Sequence, residues 1–282
     1  MLVISIDPVA FSIGALQVRW YGIMVVAAVV TLLVITFRET KQRAVPESTT
    51  YNLFFWGIIG GIIGGKLAYL IQPWLLYGVN PSEIISPYGW ALHGSIIGGI
   101  LGGVIYWRIK AAQISLEDIP RIGDAVATGA PLAQAIGRIG CTINGCCYGK
   151  LSSFLSFPWA VIYTPRDTIP PQYWNVPLYP TQIYFVLWNL TVFAVMWRLR
   201  GRLKPQGSLF FLYLCLYSAG DFGLRFLRAD PPLLFGLQEG QIFSLAILLM
   251  SLPVLIIRIR RFQQKATAEP AAGTTQQQSQ QD

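Results

Sequence analysis

The stretch YNLFFWGIIGGIIGGKLAYLIQ, residues 51–72, holds a single charged side chain, Lys66. About 20 apolar residues in a helix cross roughly 30 Å of hydrocarbon. Lipid offers no hydrogen-bond partners, so a span must satisfy its own backbone, and the helix is the form that does so within one segment. Six further apolar runs fall at about 20–37, 88–107, 119–138, 180–197, 208–224 and 240–257. Together they predict an all-α polytopic membrane protein of about seven transmembrane helices. The run at 119–138 differs from the rest, because Arg121 and Asp124 sit in its first turns and Pro131 in its middle. It is expected to be a kinked or re-entrant helix if it is not a full span, and six spans is then the count.

Composition agrees, since 54% hydrophobic residues, 12% charged residues and a mean hydropathy of +0.50 lie outside the range of a soluble domain. The net charge of +8 gathers in alternate loops: Arg38, Lys41 and Arg43; Arg108 and Lys110; Arg198, Arg200, Arg202 and Lys204; Arg258, Arg260, Arg261 and Lys265. Cations favour the cytoplasmic side, so this alternation predicts an N-terminus outside and a C-terminus in the cytoplasm. The charge is therefore topology and attraction to anionic membrane lipids; no basic stripe with interleaved aromatics suggests nucleic acid as a partner. No cleavable signal peptide is expected, because Met1 to Gly14 lacks a basic leader and carries Asp7 and Pro8. Residues 1–20 read as an interfacial segment on the outer side. Residues 1–265 read as one transmembrane domain with an irregular outer cap loop at about 150–178, rich in proline, tyrosine and tryptophan. Residues 266–282 are polar and of low complexity, and a disordered cytoplasmic tail is expected there.

Glycines repeat at helical spacing in GIIGGIIGGK (57–66) and GSIIGGILGG (94–103), which predicts that these two spans cross with their backbones close. Polar groups inside apolar spans mark candidate chemistry. The chain's one histidine, His93, opens the second of these runs, and GRIGCTINGCCYG (137–149) sets an arginine, an asparagine and three thiols at the end of another.

Taken in order, RWYG (19–22), GGKLAYL (65–71), HGSIIGG (93–99), GRIGCTINGCCYG (137–149), YPTQIY (179–184), DFGLRFLRAD (221–230) and GQ (240–241) resemble the prolipoprotein diacylglyceryl transferases. That resemblance implies a bacterial inner (plasma) membrane enzyme of lipoprotein biosynthesis. Such an enzyme moves a diacylglyceryl group from phosphatidylglycerol to the cysteine thiol in the signal-peptide region of a prolipoprotein. Gly137, Arg138, Gly140, Asn144 and Gly149 match the family signature, as do Gln182 and Tyr184 in the next motif and Arg228 further on. The usual Asn and Glu of the signature are here Cys141 and Cys146, and a following Glu is Phe185. Where the family carries Arg and then Glu four residues on, this chain has Asp221 and Arg225, which share one helix face and suggest an ion pair kept with reversed polarity. The resemblance thus describes a divergent member with a GC…GCC signature; the alternatives are a paralogue with altered or no transferase activity, or a membrane transporter. A transporter is the weaker, because no duplicated half with paired broken helices is visible.

Thiolate attack on a glycerophospholipid C–O bond needs a group to take the thiol proton and cations to hold the phosphate. Arg138 is the first phosphate candidate, since a guanidinium keeps its charge and holds two oxygens at once. Arg225 or Arg228 is the second clamp. His93 is the acid–base candidate, Tyr21 a headgroup-orienting one, and Asn144, Gly149 and Gln182 complete the substrate-binding set. No metal or soluble cofactor is expected, because the phospholipid is the donor and C-x4-C-C without a second histidine is a poor zinc pattern. An outer position would permit a Cys141–Cys146 or Cys141–Cys147 disulfide, and cysteine is equally a common small buried residue.

Overall fold

A computed structural model describes residues 2–14, 16–77, 91–110, 115–164 and 169–278. Among the described residues the helices that overlap the apolar runs are α1 Trp20–Gln42, α2 Glu47–Tyr77, α3 Leu92–Ile109, α4 Asp118–Asn144, α5 Thr181–Leu199, α6 Ser208–Leu224 and α7 Glu239–Gln278. Five of them are long and apolar enough to cross a membrane, over Trp20–Gln42, Glu47–Ile71, Thr181–Leu199, Ser208–Leu227 and Glu239–Lys265, and Gly94–Ile109 is a shorter apolar helix. Their outward faces are lined with Val26, Val30, Val34, Ile62, Ile63, Ile97, Ile100, Leu249 and Met250, all exposed, as a lipid-facing surface requires. Helix α4 is assigned as one element through Pro131 and is not among the five. The last helix carries on past its apolar span to Gln278.

The chain divides into two compact units, residues 37–122 and residues 1–36 with 123–282. In the first, α2 and α3 cross on their glycines. A Cβ on Gly60, Gly64, Gly98 or Gly102 would overlap backbone atoms of the facing helix. Here the repeated small residues permit a close approach that larger side chains would prevent.

In the other unit Ala127 of α4, Val192 and Met196 of α5, and Leu209 and Tyr213 of α6 form a buried apolar core. The start of α6 is capped from another helix: Asp124 of α4 is buried and accepts the Gly207 and Phe210 backbone N–H groups at 2.7 and 3.0 Å. Its carboxylate satisfies donors that a helix start leaves open and suits the positive end of the dipole. Cys215 is buried on α6 and contacts Ser251 at 3.3 Å.

Outside the helices the chain forms short strands. In the segment before α1, Leu2–Ile4 (β1) pairs parallel to Val161–Tyr163 (β4), and Val9–Ile13 (β2) pairs antiparallel to Leu16–Arg19 (β3). The cap is not irregular throughout, for β4 also pairs with Pro177–Leu178 (β5) to give a sheet of order β1-β4-β5. Alternation in these runs is short and broken by proline, so the pairing is carried by partners distant in sequence. A small apolar cluster of Val161, Tyr163, Ile169 and Leu178 lies beneath that sheet. Hydrogen bonds from Trp174 Nε1 to the Ile169 carbonyl at 2.7 Å and from Tyr184 Oη to the Pro158 carbonyl at 2.6 Å pin the cap down. A third hairpin, Pro232–Leu234 (β6) with Leu237–Gln238 (β7), joins α6 to α7.

Candidate active site

The signature GRIGCTINGCCYG forms the end of α4 and the loop that follows. Gly140 faces α1, where an added Cβ would meet Met24 Cβ at 2.9 Å and Tyr21 Cα at 3.5 Å, so this glycine brings Tyr21 against the signature. Asn144 is the last residue of α4. The chain then turns sharply, with Gly145 at φ +74° and Cys147 at φ +61°. Such a φ is uncommon for cysteine, and the surroundings hold it. Thr181 Oγ1 donates to the Cys147 carbonyl and Gln182 Nε2 to the Cys146 carbonyl, each at 2.9 Å, from the first turn of α5.

Gly149 admits no side chain, because a Cβ would overlap Tyr179. It bridges antiparallel to Arg228, flanked by Lys150 N–H to the Leu227 carbonyl at 2.8 Å and Ala229 N–H to the Tyr148 carbonyl at 3.3 Å. The signature loop thus runs beside the segment after α6 and brings Arg228 to the thiols. Arg228 is buried; its Nη2 pairs with Asp230 at 2.9 Å, while its Nε has no partner.

Asp221 and Arg225 form the expected ion pair, Nε to Oδ2 at 2.5 Å. Ser244 Oγ donates to the same Asp221 oxygen at 2.7 Å, and Arg225 Nη1 reaches Asp230 at 3.4 Å. Gly240 lies against the guanidinium so closely that a Cβ there would overlap it. Gln241 accepts the Gln238 N–H at 2.9 Å and donates to the Phe222 carbonyl at 3.3 Å, and Gln238 Nε2 donates to the Arg228 carbonyl at 3.1 Å. Arg225 is therefore held inside a structural network.

Arg138 is different. Its guanidinium carbon sits 4.3 Å from the centre of the Phe185 ring, a cation–π contact, and it makes no ion pair with a carboxylate among the described residues. Cys141, Cys147, Tyr217 and Asp221 surround it electrostatically. Phe185 stands where the family's glutamate does, so the ring supports the cation without neutralising it.

Tyr21, Arg138, Asn144, Gly149, Gln182, Arg225 and Arg228 all belong to one unit and line or support this region. His93 lies in the first turn of α3, in the other unit, and its side chain falls outside the described residues. Sequence reasoning missed Asp230, Gln238, Ser244 and the meeting of the three thiols. The thiols were in view, yet which of them meet depends on the turn at 145–147. Hydrogen bonds from Cys141 and Cys146 draw the Cys147 thiol well below its ordinary pKa; burial opposes this, and Arg228 and Arg138 add to it. Those same thiol contacts and burial push Cys146 up.

The family model described as prolipoprotein diacylglyceryl transferase matches residues 8–257. The chain belongs to this family. A phosphatidylglycerol–prolipoprotein diacylglyceryl transferase of Dehalococcoides mccartyi is 36% identical over 265 residues, covering 94% of this chain and 98% of that one. One of Staphylococcus aureus is 34% identical over 259 residues, covering 90% and 89%. The chain is accordingly a membrane transferase, and its general function is diacylglyceryl transfer to prolipoproteins.

Proposed function

We propose that the donor is phosphatidylglycerol, the acceptor the cysteine thiol in a prolipoprotein signal-peptide region, and Arg138 the anchor of the donor's phosphate. The observation that carries this reading is the state of the Arg138 cation, which is stacked on Phe185 and unpaired with any carboxylate among the described residues. A half-buried cation gains from a counter-charge, and a phosphate diester supplies one through a two-point hydrogen bond. Arg228 is the second clamp, since its Nε is buried without a partner whereas Arg225 is committed to Asp221. The positive pair stabilises charge developing on the phosphate as the C–O bond breaks and glycerol phosphate departs.

Gln182 and Gly149 hold the signature loop in place, and Asn144 and Tyr21 offer neutral hydrogen bonds to the headgroup. His93 takes the thiol proton, a role assigned by its motif and by a side-chain pKa near the working pH. Seven spans with the N-terminus outside would set this chemistry on the outer side of the bacterial inner membrane, where the acceptor emerges. Purified protein in phosphatidylglycerol vesicles with a prolipoprotein signal peptide should release glycerol phosphate and yield diacylglyceryl peptide. His93→Ala and Arg138→Ala should each abolish both products while abundance stays normal. Arg138→Lys should rescue poorly, because an ammonium lacks the two-point fork. Full transfer by Arg138→Ala would remove it from the phosphate site.

A further inference from the structure

Three thiols that the transfer step above leaves unused meet at one place. The Sγ atoms of Cys141, Cys146 and Cys147 lie within 4.8 Å of one another, and all three are free. Cys141 is fixed by the last turn of α4, whereas the other two stand on a turn clamped through its carbonyls by Thr181 and Gln182. A Zn–S bond of about 2.3 Å sets thiolates roughly 3.8 Å apart on a tetrahedron, so no edge of the triangle needs to contract by more than about 1 Å. Cys147 holds a positive φ that a non-glycine residue adopts at a cost, and strain of this sort gathers at ligand clamps. Charge also fits, since three thiolates around Zn²⁺ leave one net negative charge beside Arg138 and Arg228. Among the described residues the cluster offers three ligand atoms, one short of the four that a tetrahedral zinc takes.

We propose that Cys141, Cys146 and Cys147 form a three-thiolate zinc site whose fourth position takes the acceptor cysteine thiol. The second half of this statement rests on the acceptor assigned under the proposed function; the first half does not. Binding to zinc displaces the thiol proton, which passes to water, and leaves a metal-bound thiolate at neutral pH. Its sulfur forms a C–S bond to the glyceryl carbon while the C–O bond to phosphate breaks and the electron pair leaves on glycerol phosphate. Nothing is oxidised or reduced. The neutral thioether product is a weak zinc ligand, and its departure reopens the position.

The full-length protein, purified under reducing conditions in detergent, should carry about one zinc per chain, held by the three cysteines. Replacing zinc with Co²⁺ should produce thiolate-to-cobalt charge-transfer absorption, and a single-cysteine acceptor peptide should raise its intensity where the serine version does not. Chelation should expose three more thiols to a thiol reagent than the zinc-loaded protein shows, a measurement on the unaltered chain that survives any folding failure of variants. Cys141→Ser, Cys146→Ser and Cys147→Ser should each lose the metal, and Cys215→Ser should keep it. Gln182→Ala, which frees the Cys146 carbonyl, should weaken zinc about 10–100-fold as a positioning residue. The inference is overturned if the protein holds no stoichiometric zinc and Co²⁺ gives no thiolate band, or if Cys141 is found in a disulfide with Cys146 or Cys147. Undiminished transfer by metal-free protein also overturns it and leaves the proposed function standing. A zinc-loaded protein that binds the peptide but transfers nothing would sink the proposed function and leave the metal site intact.

Discussion

Removing either member of the Asp221–Arg225 pair should destabilise the protein, and the two removals should differ in a direction the structure fixes. Both side chains are almost fully buried, at 2% and 9% exposure, so neither charge has water to fall back on. Breaking a buried pair typically costs about 3–5 kcal/mol, most of it from the charge left behind. Asp221→Ala leaves Arg225 with Asp230 at 3.4 Å, a longer but real partner, so the loss should fall near the bottom of that range, about 3 kcal/mol. Arg225→Ala leaves Asp221 with only the Ser244 hydroxyl on one oxygen and nothing on the other, which should bring the loss to about 5 kcal/mol.

Thermal unfolding in detergent reads both, at roughly 2–4 °C per kcal/mol for a chain of this size. Sequence spacing suggests that exchanging the charges, Asp221→Arg with Arg225→Glu, would restore the pair. The structure argues otherwise. A carboxylate at 225 would face Asp230, and the flat guanidinium that Gly240 accommodates would be gone. The exchange should therefore be no better than Arg225→Ala. Singles within about 1 °C of the parent, or an exchange that restores full stability, would refute the reasoning.

Burial raises the Tyr163 pKa, and its hydroxyl faces Gln182 at a geometry too loose for a hydrogen bond. A raised folded-state value means the unfolded chain ionises first, so stability should be intact below the ordinary tyrosine pKa of about 10 and fall as pH rises beyond it; Tyr163→Phe should flatten that fall in alkaline melts. Gly98→Val should separate α2 from α3 and cost at least about 1–3 kcal/mol, whereas Gly57→Ala, whose Cβ would meet the Gly99 carbonyl at an ordinary 3.6 Å, should be neutral or stabilising. Parallel loss in both variants on thermal unfolding would show that the crossing is not glycine-dependent. For topology, a cysteine at exposed Leu155 should react with an impermeant maleimide from outside intact cells and one at Gln264 only after permeabilisation; reversal at either site overturns the N-out orientation.

What was legible in the sequence is what lipid dictates locally. Five apolar runs became helices long enough to cross a membrane because a span has no alternative for its backbone, and the glycine repeats named the crossing of α2 and α3 because contact there needs only spacing along two helices. The ion pair at 221 and 225 was legible for the same reason, being one helical turn. Long-range relations were not. Nothing local says that Leu2–Ile4 pairs with Val161–Tyr163, that Asp124 caps a helix more than 80 residues later, or that Thr181 and Gln182 clamp the signature loop. A C-x4-C-C spacing looks unpromising for a metal along the chain, yet one turn at positive φ brings the sulfurs together.

Charge accounting explains why the reversed pair at 221 and 225 need not weaken the site. Arg225 and Arg228 are matched by Asp221 and Asp230, two cations against two carboxylates, with Asp230 shared between both arginines. Swapping the signs within the helical pair leaves that sum unchanged, so the demand for an anion falls on Arg138, which has an aromatic ring rather than a carboxylate beside it. Restoring a glutamate at Phe185 would test this directly. Phe185→Glu places a carboxylate against the guanidinium, and it should compete with the donor's phosphate and raise the apparent KM for phosphatidylglycerol. Phe185→Leu removes the ring but adds no charge, so it should change KM far less while lowering stability by the lost packing of a fully buried phenyl group. Equal KM changes in the two variants would mean that the ring itself, rather than the absence of a carboxylate, sets the site's affinity.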